Sequence, residues 1–127
     1  VKGFGQASDM IKFAPKAQLS AIVNNWGAYY VERTNAMMNG SWKSQDVWYG
    51  LKEGMVQMAP YTNMSSDAAA LAKKTEDAIR SGALHPFSGP IKDQSGKLVV
   101  KAGEIAEAGM LLGMNFYVEG VQGSLPK

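Results

Sequence analysis

The chain opens VKGFGQASDM, with Gly3 and Gly5 followed by Ser8 and Asp9. A dinucleotide fingerprint needs three glycines, spaced to bring backbone amides to a pyrophosphate at a helix N-terminus. Here Ser8 stands at the third glycine position, an acid that would repel phosphate follows at once, and Ala14-Pro15 interrupts any helical run. The stretch reads instead as a strand and a turn that presents Asp9. Such turns lie where α/β proteins bind ligands, outside the carboxyl ends of strands. Asp46, Glu53 and Asp93 are isolated acids in turns, and paired-carboxylate chemistry needs a convergence in space that spacing does not supply. His85 is the only histidine, has no Ser/Asp partner pattern, and is pushed towards extended backbone by Pro86. With no cysteine in the chain, disulfides, thiolate chemistry and Cys-ligated zinc are excluded, and a transition-metal site is not expected. Trp26, Trp42 and Trp48 carry rings that can stack on flat ligands. Trp26 also fits a core position on a helix stripe, while Trp42 and Trp48 read as packing residues beside a hairpin. The eight methionines read as adaptable core filler. No nucleophile–base pair, metal set or phosphate loop emerges, so the residues point to a binding module and not to an enzyme.

Composition sets the frame. At 127 residues, 46% hydrophobic and 19% charged, the chain is one ordinary globular domain's worth. A net charge of +2 with scattered lysines argues against a nucleic-acid surface. No apolar run approaches the roughly 18 residues that span a bilayer, and no signal peptide is present. The chain starts without Met on a strand-like segment, so a piece of a larger protein is expected, with any export signal outside it.

The elements that would position these residues alternate between strand and helix, which predicts α/β architecture. Val1 to Ala7 reads as a strand and Ser8 to Lys16 as a loop. The apolar spacing from Gln18 to Asn39 fits a helix, although its start, AQLSAIV, also reads as a strand feeding a helix near Asn25. Asn39-Gly40 is a stop. Asp46 to Tyr49 and Met55 to Met58 read as two strands about a Gly50–Gly54 turn. Ser65 or Ser66 can cap a helix that runs to about Arg80 and stops at Gly82. A hairpin with a strand over Leu98 to Lys101, a helical turn over Ile105 to Leu112 and a final strand over Asn115 to Val121 complete the chain.

The segments GFGQASDM, FAPKAQLSAIVNNWGAYY, GSWKSQDVWYGLKEGMVQMAPY, HPFSGPIKDQSG and LLGMNFYVEGVQGSLP resemble the C-terminal part of the basic membrane protein family. The resemblance runs along nearly the whole chain and covers well under half of a family member. It implies a type I periplasmic-binding-protein fold with Rossmann-like lobes, incomplete here. Residues 1–127 would be its C-terminal portion, with the first lobe and signal peptide absent. It further implies a solute-binding component of an ABC importer, periplasmic or anchored as a lipoprotein, that captures purines or nucleosides for a permease. No catalysis, cofactor, metal or nucleic acid is implied. The alternative is a ligand-sensing regulatory domain on the same scaffold. The family's opening pattern, Gly-Val-Asp-Ser-Asp-Gln, contacts ribose through its first Asp; that position holds Ala7 here, while Ser8 and Asp9 remain. Ser20 matches a family serine, but the ligand-contacting lysine would fall near Val23 or Asn24 and is missing, with Asn25-Trp26-Gly27 nearby. A buried ribose without its acceptor is disfavoured, so a free base such as adenine is the expected ligand. Ser8, Asp9, Asn25 and Trp26 are its expected contacts. A chain lacking half of its cleft is expected to self-associate.

Overall fold

The segments GFGQA and QLSAIVN are both strands, β1 (Gly3–Ala7) and β2 (Gln18–Asn24). They pair in parallel, with Phe4 opposite Ser20 and Ala7 opposite Val23. β3 (Val56–Met58) joins the other side of β2 antiparallel, with Ile22 opposite Met58 and Asn24 opposite Val56. The structure is a computed structural model describing residues 1–126. It divides into a first unit, Val1–Ala83, and a second beginning at Leu84.

In the first unit, the sheet order β1-β2-β3 puts β2 at the centre, and the core collects on it. Ser20 and Ala21 are fully buried, with Gln18 and Ala59 nearly so. The segment after β3 keeps running along β2: the Ala59 amide donates to the Ala21 carbonyl at 2.9 Å and the Thr62 amide to that of Leu19 at 2.7 Å. The buried Ser20 hydroxyl donates to the Ala59 carbonyl at 2.7 Å. Small side chains on β2 let these backbones approach closely.

Of the two readings of the run from Gln18, the strand feeding a helix near Asn25 is the one that forms, and the continuous helix is corrected. Helix α1 spans Trp26–Met38 only, and the run before it is β2. Partner strands on both sides claim the backbone of LSAIV, and that non-local pairing outweighs the helical spacing. At the other end, Asn39 and Gly40, at φ 72, stop α1 as expected. The strand expected over Asp46–Tyr49 is also corrected: residues 41–50 carry no regular structure. β3 pairs with β2 instead of with that segment. The turn itself forms, with the Gly50 amide donating to Glu53 Oε2 at 2.8 Å and the Gly54 amide to the Leu51 carbonyl at 3.3 Å.

Helix α2 (Ser66–Ser81) has the capping its sequence calls for. Ser65 is the N-cap and accepts the Ala68 amide at 3.3 Å, Asp67 sits in the first turn, and Gly82 ends the helix at φ 78. Lys73 pairs with Asp77, and Arg80 with Glu76 at 2.7 Å, each one turn apart.

In the second unit, β4 (Ile91–Lys92) and β5 (Leu98–Val100) form the expected hairpin. Asp93 Oδ1 makes the turn, accepting from the Ser95 amide and hydroxyl at 2.8 and 2.6 Å and from the Lys97 amide at 3.0 Å. Those donors hold its carboxyl below the ordinary range, with the Ser95 side chain contributing most. A short α3 (Ala108–Leu112) follows. The final strand expected over Asn115–Val121 reduces to one bridge, Val118 to Asp93, where the Gln94 amide donates to the Tyr117 carbonyl at 3.0 Å and the Glu119 amide to the Lys92 carbonyl at 2.9 Å; Gly120 follows at φ 91.

Two substitutions test these local rules. A β-carbon at Gly89 would lie 2.0 Å from the Lys101 carbonyl oxygen, so Gly89→Ala is expected to expose the Ala106 amide, which donates to the Phe87 carbonyl at 3.0 Å, to hydrogen exchange. Ser65→Ala is expected to cost about 1 kcal/mol, measured as a lower urea midpoint.

Candidate functional site at the carboxyl edge of the parallel pair

Because β1 and β2 run parallel with Ala7 beside Val23, the turn after β1 and the β2–α1 junction leave the sheet at the same edge. The register thus brings Ser8-Asp9 and Asn25-Trp26 to neighbouring strand ends, where open α/β sheets bind ligands.

The two halves of this edge are built differently. Ala7 has φ 65, in the left-handed region, where a β-carbon is strained by about 1–2 kcal/mol. That residue turns the chain back across the pair. Asp9 Oδ1 then accepts from the Ile11 amide at 3.0 Å and from Gln18 Nε2 at 2.6 Å, while Gln18 Oε1 accepts from the Met10 amide at 3.1 Å. Asp9 is exposed, and these donors, Gln18 foremost, hold its carboxyl below the ordinary range. Ser8 is exposed, and its hydroxyl makes no hydrogen bond among the described residues.

On the helix side, Asn25 is pinned to the Gly50–Gly54 turn. Its amide donates to the Met55 carbonyl at 2.7 Å and its Nδ2 to the Gly54 carbonyl at 3.1 Å. Trp26 follows, 48% exposed. Its ring stacks on Tyr30 with centroids 6.0 Å apart and planes 28° apart, and meets Tyr29 edge-on at 6.3 Å. Tyr29 in turn meets Tyr49 edge-on at 6.2 Å. A cleft of about 80 Å³ opens beside them, lined by Asn25, Tyr29, Glu32, Tyr49, Glu53 and Met55. A wider hollow of about 400 Å³ lies at the far end of α1, against Arg33, Asn39, Trp42 and Lys43.

No hydrogen bond joins Asp9 to Asn25 or Trp26 among the described residues, so the edge holds two sets of groups, one tied to Gln18 and one to the 50–54 turn. Gln18 was not singled out from sequence; its signal is an amide at the head of a strand whose neighbours are small or apolar. Tyr30, one turn along α1 from Trp26, is 61% exposed. Its spacing of four from Trp26 is the sequence trace of the stacked pair. Trp42 and Trp48, read as packing residues, are also exposed. In the second unit, His85 Nδ1 accepts the Phe87 amide at 3.3 Å, a turn contact. Among the described residues, no helix is long and apolar enough to cross a membrane.

The model of the family described as ABC transporter substrate-binding protein PnrA-like matches residues 4–84. The chain belongs to this family. Its α/β fold is accordingly a fragment of a periplasmic-binding-protein fold. Over 127 residues it is 58% identical to a purine-binding protein of Brucella abortus (strain 2308), a match taking in 100% of this chain and 36% of that relative. The chain thus spans about a third of the length of this curated relative. A crystal structure of a transcriptional activator of the comK gene from Bacillus halodurans superposes with TM-score 0.55 at 15% identity, over 67% of this chain and 30% of that one. That likeness is one of fold.

The Asp9 contacts give a pH dependence with a definite sign. The folded carboxyl binds its proton less readily than the unfolded one, so the turn's stabilisation is present above the ordinary carboxylate range and is lost as pH falls through the depressed value. A carbon-detected titration of the Asp9 carboxyl is expected to show a midpoint below about 3.9; a midpoint at or above that value contradicts the assigned contacts.

Proposed function

We propose that residues 1–127 are the C-terminal portion of an extracytoplasmic solute receptor of an ABC importer, and that the complete receptor captures a purine base of the adenine type without chemistry. The observation that carries this reading is the stacked, half-exposed Trp26–Tyr30 pair beside the turn bearing Ser8 and Asp9, at one edge of a parallel pair. Family membership and the purine-binding relative support it. In this reading Trp26 supplies a face for the base, and Ser8, Asp9 and Asn25 supply polar atoms for its edge. The other lobe closes over them, and an ABC permease of the inner membrane receives the solute. The receptor is periplasmic or held at the membrane as a lipoprotein.

A base is preferred over a nucleoside because the Ala7 side chain offers no acceptor for ribose hydroxyls, and hydroxyls buried without partners cost about 1–3 kcal/mol. Calorimetric titration of the complete receptor with adenine, adenosine and guanosine is expected to show adenine bound tightest. Trp26→Ala is expected to weaken it by about 1–3 kcal/mol, the worth of one stacked base. Equal or tighter nucleoside binding refutes the base preference, and no binding of any of the three refutes the purine reading. Expressed alone, the chain leaves Trp26, Tyr30, Val31, Met37 and Met38 of α1 exposed and self-associates; a monomer in analytical ultracentrifugation contradicts this.

A further inference from the structure

Gln18 is the one large polar side chain drawn into the core of the first unit, at 6% exposure. A buried primary amide needs partners for its donors and its acceptor. Gln18 finds them in the turn after β1: Nε2 donates to Asp9 Oδ1 at 2.6 Å and Oε1 accepts the Met10 amide at 3.1 Å. Its own backbone is equally fixed. The amide donates to the Ala14 carbonyl at 3.0 Å, and the carbonyl accepts from Thr62 Oγ1 at 2.9 Å and Asn63 Nδ2 at 2.7 Å. The post that holds Asp9 is thus anchored from both flanks of the sheet.

Space for this tie comes from Gly5. A β-carbon there would stand 2.8 Å from the Ala21 β-carbon, 3.0 Å from the Ser8 carbonyl oxygen and 3.3 Å from Gln18 Oε1. Without it, the turn folds down onto the strand pair and meets the amide. Asp9 Oδ1 then carries two protein donors, Gln18 Nε2 and the Ile11 amide. Its other oxygen, Oδ2, accepts nothing among the described residues.

We infer that Gln18 is a positioning and specificity residue of the proposed purine site, fixing Asp9 so that a single carboxylate oxygen faces the ligand. One free acceptor suits one N–H donor of a base. A vicinal diol such as that of ribose is gripped best by both oxygens of a carboxylate, and Oδ1 is already occupied. The same tie keeps Asp9 ionised, and no charged side chain contributes to that effect. Specificity against ribose therefore has two sources on this turn, the missing acceptor at Ala7 and the committed oxygen at Asp9. This inference rests on the purine reading above.

The test is titration of the complete receptor with adenine and with adenosine, from pH 5 to 8, for the wild type, Gln18→Leu and Gln18→Glu. Gln18→Leu removes both polar contacts at similar volume. It is expected to lower adenine affinity about tenfold and to narrow the preference for adenine over adenosine. Gln18→Glu keeps an acceptor for the Met10 amide and replaces the donor to Asp9 by a second carboxyl. Its adenine binding is expected to be weak at pH 7–8, where two carboxylates oppose each other, and to recover towards pH 5, where they share a proton. Wild-type binding is expected to be flat across this range. Equal losses for both ligands without a pH dependence in Gln18→Glu, or no loss in Gln18→Leu, overturn the inference. If the wild type binds neither ligand, the purine reading fails by itself. Protection of the Met10 and Ile11 amides from hydrogen exchange then decides the positioning role: a drop in Gln18→Leu sustains it and no change removes it.

Discussion

The first unit depends on β2 meeting its hydrogen-bonding needs on both flanks while Ser20 and Ala21 at its centre stay small enough to be fully covered. β1 takes one flank. β3 takes part of the other, and Ala59 to Asn63 take the rest by single bonds from Ala59 and Thr62. A buried polar group left without a partner costs about 1–3 kcal/mol, comparable with burying a whole apolar side chain. Ser20 and Gln18 are the two polar side chains that enter this core, and both are bonded. The sheet is therefore organised as much by satisfied polar groups as by apolar burial, and the largest side chain fully enclosed is a serine.

The edge described above follows from that arrangement. Parallel pairing sends two chain segments out side by side, and each is then redirected by a local device. After β1 the device is Ala7 at positive φ with the Gln18 amide waiting below the turn. After β2 it is Asn25, bonded to the 50–54 turn at the point where the helix begins. A hydrogen-bonded carboxylate turn and an aromatic helix start thus stand on one framework, although they share no direct bond. Rigid placement matters for recognition because a ligand then does not have to order the groups it meets.

Several of these elements are legible in the sequence because their causes are local. Ser65, Asp67 and Gly82 mark both ends of α2 within a residue of where it runs. Asp93 through Gly96 announces the β4–β5 turn, and Asn39-Gly40 the end of α1. The misread segments are those decided by distant partners. LSAIV satisfies helical and strand spacing alike, and only β1 and β3 settle which it adopts. Asp46 to Tyr49 has the composition of a strand, but the neighbouring β3 pairs with the distant β2 and not with it. Among the site residues, Asp9 and Trp26 stand out by type and position. Gln18 does not, since its role is a contact with a turn that pattern reading cannot fold back onto it. Trp26 also fits a helix stripe, but which way that stripe faces depends on what covers α1.

Parallel strands ordinarily require a crossover of a dozen or more residues, most often a helix. Here residues 8–17 make the whole connection from β1 to β2 without one. Consecutive short turns do the work, with the Phe13 and Ala14 amides returning to Met10 and the Ala17 and Gln18 amides to Ala14. The closure entropy of so short a loop is small, and contacts that are near in sequence form early in folding. The strand pair and its acidic turn are thus built from contacts near in sequence. The Ala59–Asn63 segment, by contrast, reaches β2 from far along the chain, so the turn that bears Asp9 is made by side-chain bonds within residues 9–18.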